Sequence, residues 1–361
     1  MKLAVIGVGL IGGSIGMAAR RRLGAEVAGY DRAAETLEAA LANGAIDRAA
    51  ESVADACSGA EAVFCAAPVG VLPGITREAL EEAAEDAVVT DVGSTKREIV
   101  AAIGDEPRFV GGHPLAGAET AGVENARPDL FEGARWYLTP TGATGGLLYD
   151  RLQRILAEIG ARPQAIDASE HDRAMATTSH LPHVIANVLA REVEQTLGEG
   201  GERLPEVGPS LRDATRVAGA NPAIWEDIFL ANRAAVADAA AAASASLSQA
   251  ADILRSGSAE EVAAWHGAAG QARSRLLAAE SAGGPVTELR VIVPNRPGIV
   301  AELALALGRG GVNIEDMALH PSADMSSGAV SLWIAGAEGA ERAAALVRDL
   351  GHTVQVLDAA G

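Results

Sequence analysis

The sequence predicts an α/β domain, then an all-helical domain and a small C-terminal α+β domain. The first prediction comes from short apolar runs that alternate with helical patterns as far as about residue 145. The second comes from a helix-only pattern that begins at Glu170, and the third from a new strand and helix pattern after the Gly- and Pro-containing stretch 281–285. We expect the domains to cover 1–167, 168–281 and 286–361.

Composition excludes several classes of protein. The chain has 361 residues, which is more than one ordinary core requires, and 49% of them are hydrophobic. Its net charge of −19 argues against a nucleic-acid partner, because phosphate binding needs a basic surface. Cys57 and Cys65 do not have the spacing of a disulfide framework or a metal site. With no apolar run of membrane-spanning length and no room for a signal peptide before Lys2, we expect a cytoplasmic protein without a metal.

The α/β domain is predicted from short apolar strands separated by helices. The expected strands are Lys2–Ile6, Glu26–Tyr30, Ala62–Ala66, Val88–Val92 and Arg108–Gly111, with a further candidate at Arg162–Ile166. Helices are expected at Ala33–Asn43, which Gly44 would end, and at Leu147–Ile159. This order is typical of a parallel sheet that is covered on both faces.

The two later domains follow from a change of pattern. Helices are expected near 170–197, 209–219, 222–256 and 258–280. Beyond the linker the expected strands are Thr287–Pro294, Val312–His320, Ala329–Ala335 and Thr353–Leu357, with helices at Ile299–Gly308 and Ala340–Leu350. The resulting order, βαββαβ, is that of a ferredoxin-like unit.

A glycine-rich turn, Gly7-Val8-Gly9-Leu10-Ile11-Gly12, follows the first strand and opens a helix. Together with Asp31 at the end of the second strand, it matches the Rossmann dinucleotide-binding turn. The glycines would allow the tight turn, the close approach of the pyrophosphate and the packing of the helix. A carboxylate at Asp31 would bind a ribose hydroxyl and repel a 2′-phosphate, which favours NAD over NADP, although Arg32 beside it opposes that preference. The predicted cofactor-binding residues are Gly7, Gly9, Leu10, Ile11, Gly12, Asp31, Arg32 and Pro68.

His113 follows directly on an apolar strand in the segment FVGGHPLAGAE, residues 109–119. Ligands bind at the carboxyl ends of strands in open α/β sheets, and histidine titrates near neutral pH. We therefore expect His113 to move a proton beside the cofactor, although a core histidine bonded to backbone is the alternative. Ser94 follows the preceding strand and is expected at the same edge, where it would bond the histidine, the nicotinamide or the substrate. The alternative for Ser94 is a helix N-cap.

The helical domain offers further polar candidates. Two histidines three residues apart in TSHLPH, His180 and His183, resemble metal spacing, but no further ligands complete a shell, so substrate contacts with Ser179 are the preferred interpretation. Arg216 could clamp a carboxylate, or pair with Asp213 within its helix. The remaining histidines are interpreted as surface or packing residues; they are His171, His266, His320 and His352.

Taken together, these motifs resemble the prephenate dehydrogenase family. The resembling stretches run through nearly all of residues 1–280: GVGLIGGS, YD at 30–31, DVGSTK, GGHPLAGAETAGVENARPDLFEGARWYLTP, HDRAMATTSHLPHVIA and LRDATRVAGANPAIWEDIFLAN. The HPLAG and TSHLPH blocks, in this order after a Rossmann turn, are highly specific. The C-terminal unit resembles an ACT domain, with Asn295-Arg-Pro-Gly298 opening its first helix and Asn313-Ile-Glu-Asp316 in its second strand.

The resemblance implies NAD-dependent oxidative decarboxylation of prephenate to 4-hydroxyphenylpyruvate by a homodimer. It implies that His113 and Ser94 are catalytic. It implies a set of substrate-binding residues, namely Arg216, His183, His180, Ser179 and Glu119. Position 118, often threonine in the family, is Ala118 here, so one hydroxyl contact is missing. An amino-acid effector, with tyrosine expected, would bind the ACT unit at Asn295, Pro297, Gly298, Asn313 and Ile314.

Three alternatives stay open at this point. Arogenate dehydrogenase has the same fold and chemistry and differs only in a substrate side chain. A β-hydroxyacid dehydrogenase would need a lysine base on a helix of the second domain, and no lysine lies between residues 97 and 361. A non-enzymatic amino-acid sensor would rely on the ACT unit alone, and an ACT unit used only for dimerisation is also possible.

Overall fold

A computed structural model describes residues 1–117, 120–198, 207–280, 286–294, 296, 299, 302–303, 306–307, 310–312, 314–322 and 327–357. The chain separates into two compact units, Met1–Ala245 and Ser246–Gly361. Nothing in the described part forms a helix that is both long and apolar enough to cross a membrane.

The first unit begins with an eight-stranded sheet. Its strands are β1 (Lys2–Ile6), β2 (Glu26–Tyr30), β3 (Arg48–Ala49), β4 (Ala62–Cys65), β5 (Val88–Asp91), β6 (Phe109–Pro114), β7 (Arg135–Thr139) and β8 (Arg162–Ala165). Its helices are α1 (Leu10–Leu23), α2 (Ala34–Ala42), α3 (Val53–Cys57), α4 (Leu72–Glu82), α5 (Arg97–Ile103) and α6 (Gly146–Glu158), with short 3-10 turns at Val69–Val71 and Val123–Asn125.

The strand order is β3-β2-β1-β4-β5-β6-β7-β8. Strands β1 to β6 are parallel, and β7 runs antiparallel to β6, with His113 opposite Tyr137. The predicted parallel sheet is therefore correct for β1, β2, β4, β5 and β6, the two-residue β3 was not predicted, and the sheet is antiparallel where β7 joins β6. The prediction missed β7 because this five-residue strand follows a loop and breaks the regular alternation of strand and helix.

Two apolar clusters lie on the two faces of this sheet. One cluster contains Ile15 of α1 and Leu152 of α6, and the other contains Leu72 of α4 and Ile99 of α5. The strands between them, such as β4, are buried at every position. Helices covering both faces confirm the predicted Rossmann-type architecture, and the carboxyl ends of the strands are left to form the site.

The helical part of the first unit begins with a long helix that a π-helical turn interrupts, and it continues with several shorter helices. Its elements are α7 (Ala168–Met175), a π-helical turn (Ala176–His180), α8 (Leu181–Gly198), α9 (Pro209–Thr215), a 3-10 turn (Arg216–Gly219), α10 (Pro222–Ala231) and α11 (Arg233–Ser256). The single helix expected over 222–256 is broken at Asn232. The physical reason is that the Asn232 side chain turns inward, where its amide donates to the carbonyl of Asp172.

The second unit holds α12 (Ala259–Glu280), β9 (Val286–Pro294), β10 (Ile314–Pro321), β11 (Ser327–Ala335), α13 (Ala337–Asp349) and β12 (Thr353–Leu357). The four strands form an antiparallel sheet in the order β10-β11-β9-β12. Its core includes Leu303 and Leu307, from the segment in which a helix was expected, and Val347 of α13. The bounds of that expected helix lie outside the described residues.

Candidate active site

The glycine-rich turn has the shape that a dinucleotide needs. Gly7 has a φ of 92°, and a Cβ there would collide with the carbonyl of Ala66. A Cβ on Gly12 would collide with the carbonyl of Gly7, whereas the Cβ position of Gly9 is open. The two enclosed glycines thus fix the turn, and the open one leaves its backbone free to approach a ligand at the N-terminus of α1.

Asp31 stands at the end of β2 against this turn. Its Oδ2 accepts from the backbone N–H of Val8 at 3.0 Å, and its Oδ1 accepts from that of Ala33 at 3.0 Å. Each carboxylate oxygen has a further lone pair for a hydroxyl donor. The residues present therefore fit a dinucleotide whose ribose lies beside Asp31. Leu10 and Ile11 are partly exposed in the first turn of α1, and Arg32 and Pro68 are exposed.

His113 is the first member of a hydrogen-bonded chain at the end of β6. Its Nδ1 lies 2.8 Å from Nε2 of His171, and Nδ1 of His171 lies 2.8 Å from Oδ1 of Asp172. His171 and Asp172 are almost fully buried, whereas the ring of His113 is partly exposed. His171 is buried, in agreement with its interpretation as a packing residue, and its ring also contacts His113 directly.

Asp172 is fixed in turn by the backbone that follows β5. The N–H groups of Lys96 and Arg97 donate to its two oxygens at 2.7 and 2.9 Å. This arrangement places the start of α5 against α7, and it leaves the Asp172 carboxylate with a hydrogen bond on each oxygen.

Lys96 is fully buried beneath this chain of residues. Its ammonium pairs with the buried carboxylate of Asp91 and donates to the carbonyl of Gly112 at 2.6 Å. Burial lowers the pKa of Lys96, and the charge of Asp91 opposes that shift. Because Gly112 directly precedes His113, the lysine connects the ends of β5 and β6 at the edge of the sheet that carries His113.

The environment keeps His113 neutral. Burial is the main cause that lowers its pKa well below the ordinary 6.5, and electrostatic interactions with His171, Lys96 and His180 act in the same direction. A neutral imidazole can accept a proton, so His113 has the state that a general base requires.

His180 is the last residue of the π-helical turn, His183 lies in the first turn of α8, and both face one tryptophan. The ring of His183 stacks on Trp225 with centroids 3.4 Å apart, and His180 meets the same indole edge-on at 5.9 Å. His180 is buried and lies 3.3 Å from the amide of Asn232. Single π-helical turns are frequent at functional sites, and this one brings both histidines of TSHLPH to the same place.

Arg216 lies in a cleft with a volume of about 690 Å³. The lining residues come from the loop after β6, from α8, and from the 3-10 turn and helix that follow α9; they are Gly117, His183, Arg216, Val217, Gly219, Ala220, Asn221, Ile224 and Trp225. A guanidinium, an imidazole and an indole in one cleft suit an organic anion with a flat apolar part.

The other predicted site residues have varied positions. Ser94 lies after β5 at the same edge, but no hydrogen bond joins it to His113 within the described residues, and the N-cap of α5 is Lys96. Ser179 is partly buried in the π-helical turn, and Ile314 packs at the margin of the second unit's core. The remaining predictions lie outside the described residues: Ala118, Glu119, Asn295, Pro297, Gly298 and Asn313.

Four residues of the site were missed by sequence reasoning: Lys96, His171, Asp172 and Asn232. Two signals were present. The chain has only two lysines, and one of them directly follows the Gly-Ser-Thr of the DVGSTK block. The adjacent His171 and Asp172 open the HDRAM block with an acid and a base side by side.

Acidification from neutral pH to about pH 4 lowers the free energy of unfolding. We expect this decrease to be about 3 kcal/mol smaller in His180→Gln than in the wild type. Burial lowers the pKa of His180 from 6.5 to about 4. Between these two pKa values the unfolded chain is protonated at His180 and the folded chain is not. The contribution of the neutral His180 to stability is therefore fully present above pH 6.5 and is lost as the pH falls toward 4. Denaturant unfolding at neutral pH and near pH 4 measures the difference. The exposed His266→Gln is the control, and equal acid sensitivity in both variants would contradict the expectation.

Comparisons with known proteins agree with this geometry. The family model described as prephenate dehydrogenase, nucleotide-binding domain, matches residues 15–165, and the model described as prephenate dehydrogenase, dimerization domain, matches residues 167–267. The prephenate dehydrogenase of Bacillus subtilis is 30% identical over 324 residues, which cover 87% of each chain.

Two solved structures are also similar. One is prephenate dehydrogenase from A. aeolicus in complex with hydroxyphenyl propionate and NAD+, with a TM-score of 0.72, 29% identity, and coverage of 76% of this chain and 98% of that one. The other is Synechocystis arogenate dehydrogenase, with a TM-score of 0.67, 25% identity, and coverage of 76% and 100%.

Proposed function

Because this chain belongs to the prephenate dehydrogenase family, we propose that it oxidises prephenate with NAD+ to 4-hydroxyphenylpyruvate, CO₂ and NADH. The observation that carries the proposal is the neutral His113, held at the carboxyl end of β6 in the unit that also contains the dinucleotide turn. When bound, NAD+ takes a hydride from the ring carbon that bears the hydroxyl.

His113 accepts the proton of that hydroxyl and later donates it back. As the carbonyl forms, the O–H bond breaks and an N–H bond forms on the neutral imidazole. Loss of CO₂ then sends the electrons of the broken C–C bond into the ring, which becomes aromatic, and the former carbonyl oxygen becomes a phenolate. His113 returns its proton to that oxygen, so the overall reaction releases no proton. Ser94, at the same edge, would orient the hydroxyl.

The cleft around Arg216 would hold the carboxylates of prephenate. The Arg216 guanidinium supplies a bidentate donor, and His183, stacked on Trp225, supplies a further polar contact. His180, Ser179 and Glu119 complete the proposed pocket.

The direct test is an assay of the purified chain with prephenate and NAD+. We expect NADH and 4-hydroxyphenylpyruvate in equal amounts, with no NADH when prephenate is omitted. Failure to form NADH would contradict the proposal. Arogenate dehydrogenase activity is the second candidate, because a structure of that name also covers 76% of the chain.

The second unit is proposed to be an ACT domain that binds an amino acid, with tyrosine expected. Its support is the strand order, which places the third strand beside the first as in a ferredoxin-like unit. A rise in melting temperature with tyrosine but not with phenylalanine, accompanied by inhibition, is the expected result. No shift and no inhibition would refute it. The boundaries 1–167, 168–281 and 286–361, a homodimer and a cytoplasmic location are proposed with it.

We expect Asp31→Asn to raise the KM for NAD+ by about tenfold and to reduce the preference over NADP. The substitution removes the charge that attracts a ribose hydroxyl and repels a 2′-phosphate. Steady-state kinetics with both cofactors measure the effect. Glu26→Gln, at the exposed start of the same strand, is the control. An unchanged ratio of kcat/KM for the two cofactors would show that Asp31 does not select between them.

A further inference from the structure

The contacts of His171 determine which nitrogen of His113 can act as a base. The Asp172 carboxylate only accepts hydrogen bonds, so Nδ1 of His171 carries the proton between them. A neutral His171 then has an unprotonated Nε2, which must accept from Nδ1 of His113. His113 is therefore left with its lone pair on Nε2.

We propose that His113, His171 and Asp172 form a histidine relay, in which Nε2 of His113 takes the substrate proton and the positive charge passes to His171. In the relay an N–H bond forms at Nε2 of His113. The proton on Nδ1 of His113 moves to Nε2 of His171, and these two nitrogens lie 2.8 Å apart. His113 becomes the opposite neutral tautomer. His171 becomes an imidazolium that faces the carboxylate of Asp172.

The charges of the buried cluster favour this transfer. Before the reaction the cluster holds one cation, Lys96, and two anions, Asp91 and Asp172, so its formal charge is negative. The proton taken from the substrate makes the cluster neutral. An isolated charge in a dry interior is costly, whereas a paired and hydrogen-bonded one is tolerated. The relay therefore holds the proton on His171, beside the buried Asp172 carboxylate, until it is returned through His113 to the phenolate.

Hydrogen bonds from the backbone hold the Asp172 carboxylate in its position beside His171. The N–H groups of Lys96 and Arg97 donate to its two carboxylate oxygens, and the side-chain amide of Asn232 donates to its backbone carbonyl. The edge of the His171 ring also meets Tyr137, on the strand paired with β6, with centroids 5.6 Å apart. His171 and Asp172 are thus positioning residues, since they act on the substrate through His113.

The test compares His171→Gln with His171→Leu in the full-length protein. A glutamine oxygen can accept from Nδ1 of His113 and keep its tautomer, but it cannot take the proton. Leucine can do neither. We expect kcat to fall about tenfold in the glutamine variant and about 10²-fold in the leucine variant, with the KM for prephenate and the binding of NAD+ unchanged. His266→Leu is the exposed control.

A second readout needs no substrate. Nitrogen-15 NMR of histidine-labelled protein is expected to show His113 protonated on Nδ1 in the wild type and in His171→Gln, and a mixture of tautomers in His171→Leu. A wild-type His113 protonated on Nε2, or equal kcat in the wild type and His171→Leu, would overturn the relay. The relay rests on the proposed function for its substrate, but the NMR result stands or falls without turnover, so the two failures are distinguishable.

Discussion

His113→Asn is expected to lower kcat by about 10²-fold or more while the binding of NAD+ is retained. Asparagine can occupy the end of β6 and form hydrogen bonds there, but its amide cannot take the proton of the ring hydroxyl. The dinucleotide turn is built from other elements and does not depend on this side chain. Steady-state kinetics measure kcat, and titration with NAD+ followed by intrinsic fluorescence measures cofactor binding.

The pH profile of the wild type gives the same prediction a second measurement. His113 must be neutral to act, and burial holds its pKa well below 6.5. We therefore expect kcat/KM to stay level as the pH falls through 6.5 and to decline only in more acidic solution. His266→Asn, at an exposed position, should match the wild type throughout. Normal turnover in His113→Asn would contradict the catalytic assignment of His113.

Lys96→Met is expected to lower the free energy of unfolding by about 3–5 kcal/mol. Methionine fills a similar volume but removes the ammonium that pairs with Asp91 and donates to the carbonyl of Gly112. The carboxylate of Asp91 would then be buried without its counterion, which is the expensive part of the change. Urea denaturation measures the loss.

The chain offers a matched control, because its only other lysine is exposed. Lys2→Met removes an ion pair with Glu26 in which both side chains are more than half exposed, so a change within about 0.5 kcal/mol is expected. Equal stabilities of Lys96→Met and the wild type would show that the buried pair does not hold β5 and β6 together.

The sequence predicted those features that depend on local pattern. Five strands of the first sheet, β1, β2, β4, β5 and β6, were predicted from apolar runs. The glycine turn was predicted from the positions of Gly7 and Gly12 and from the acid at Asp31. Strand β7 was missed because its antiparallel pairing with β6 depends on contacts made after a loop, which no periodicity encodes. The break at Asn232 was missed for a similar reason, because its cause is a hydrogen bond to Asp172, distant in the chain.

The same distinction between local pattern and distant contacts explains which site residues were predicted. His113 follows a strand, and the position of such residues is fixed by the sheet. His171 lies on a different element, and its 2.8 Å contact depends on how α7 packs against β6. Lys96 was missed because a lysine is almost never fully buried, so its type predicts exposure unless a partner such as Asp91 is known.

The most direct test of the central claim is the ratio of kcat/KM for prephenate and arogenate, measured with NAD+ on the wild-type chain. The two substrates share the ring hydroxyl from which His113 is proposed to take a proton, and they differ at the side chain, where one has a keto group and the other an amine. We expect prephenate to be preferred by about tenfold or more, which corresponds to about 1.4 kcal/mol in the transition state. Equal values for the two substrates, or turnover of arogenate alone, would contradict the account.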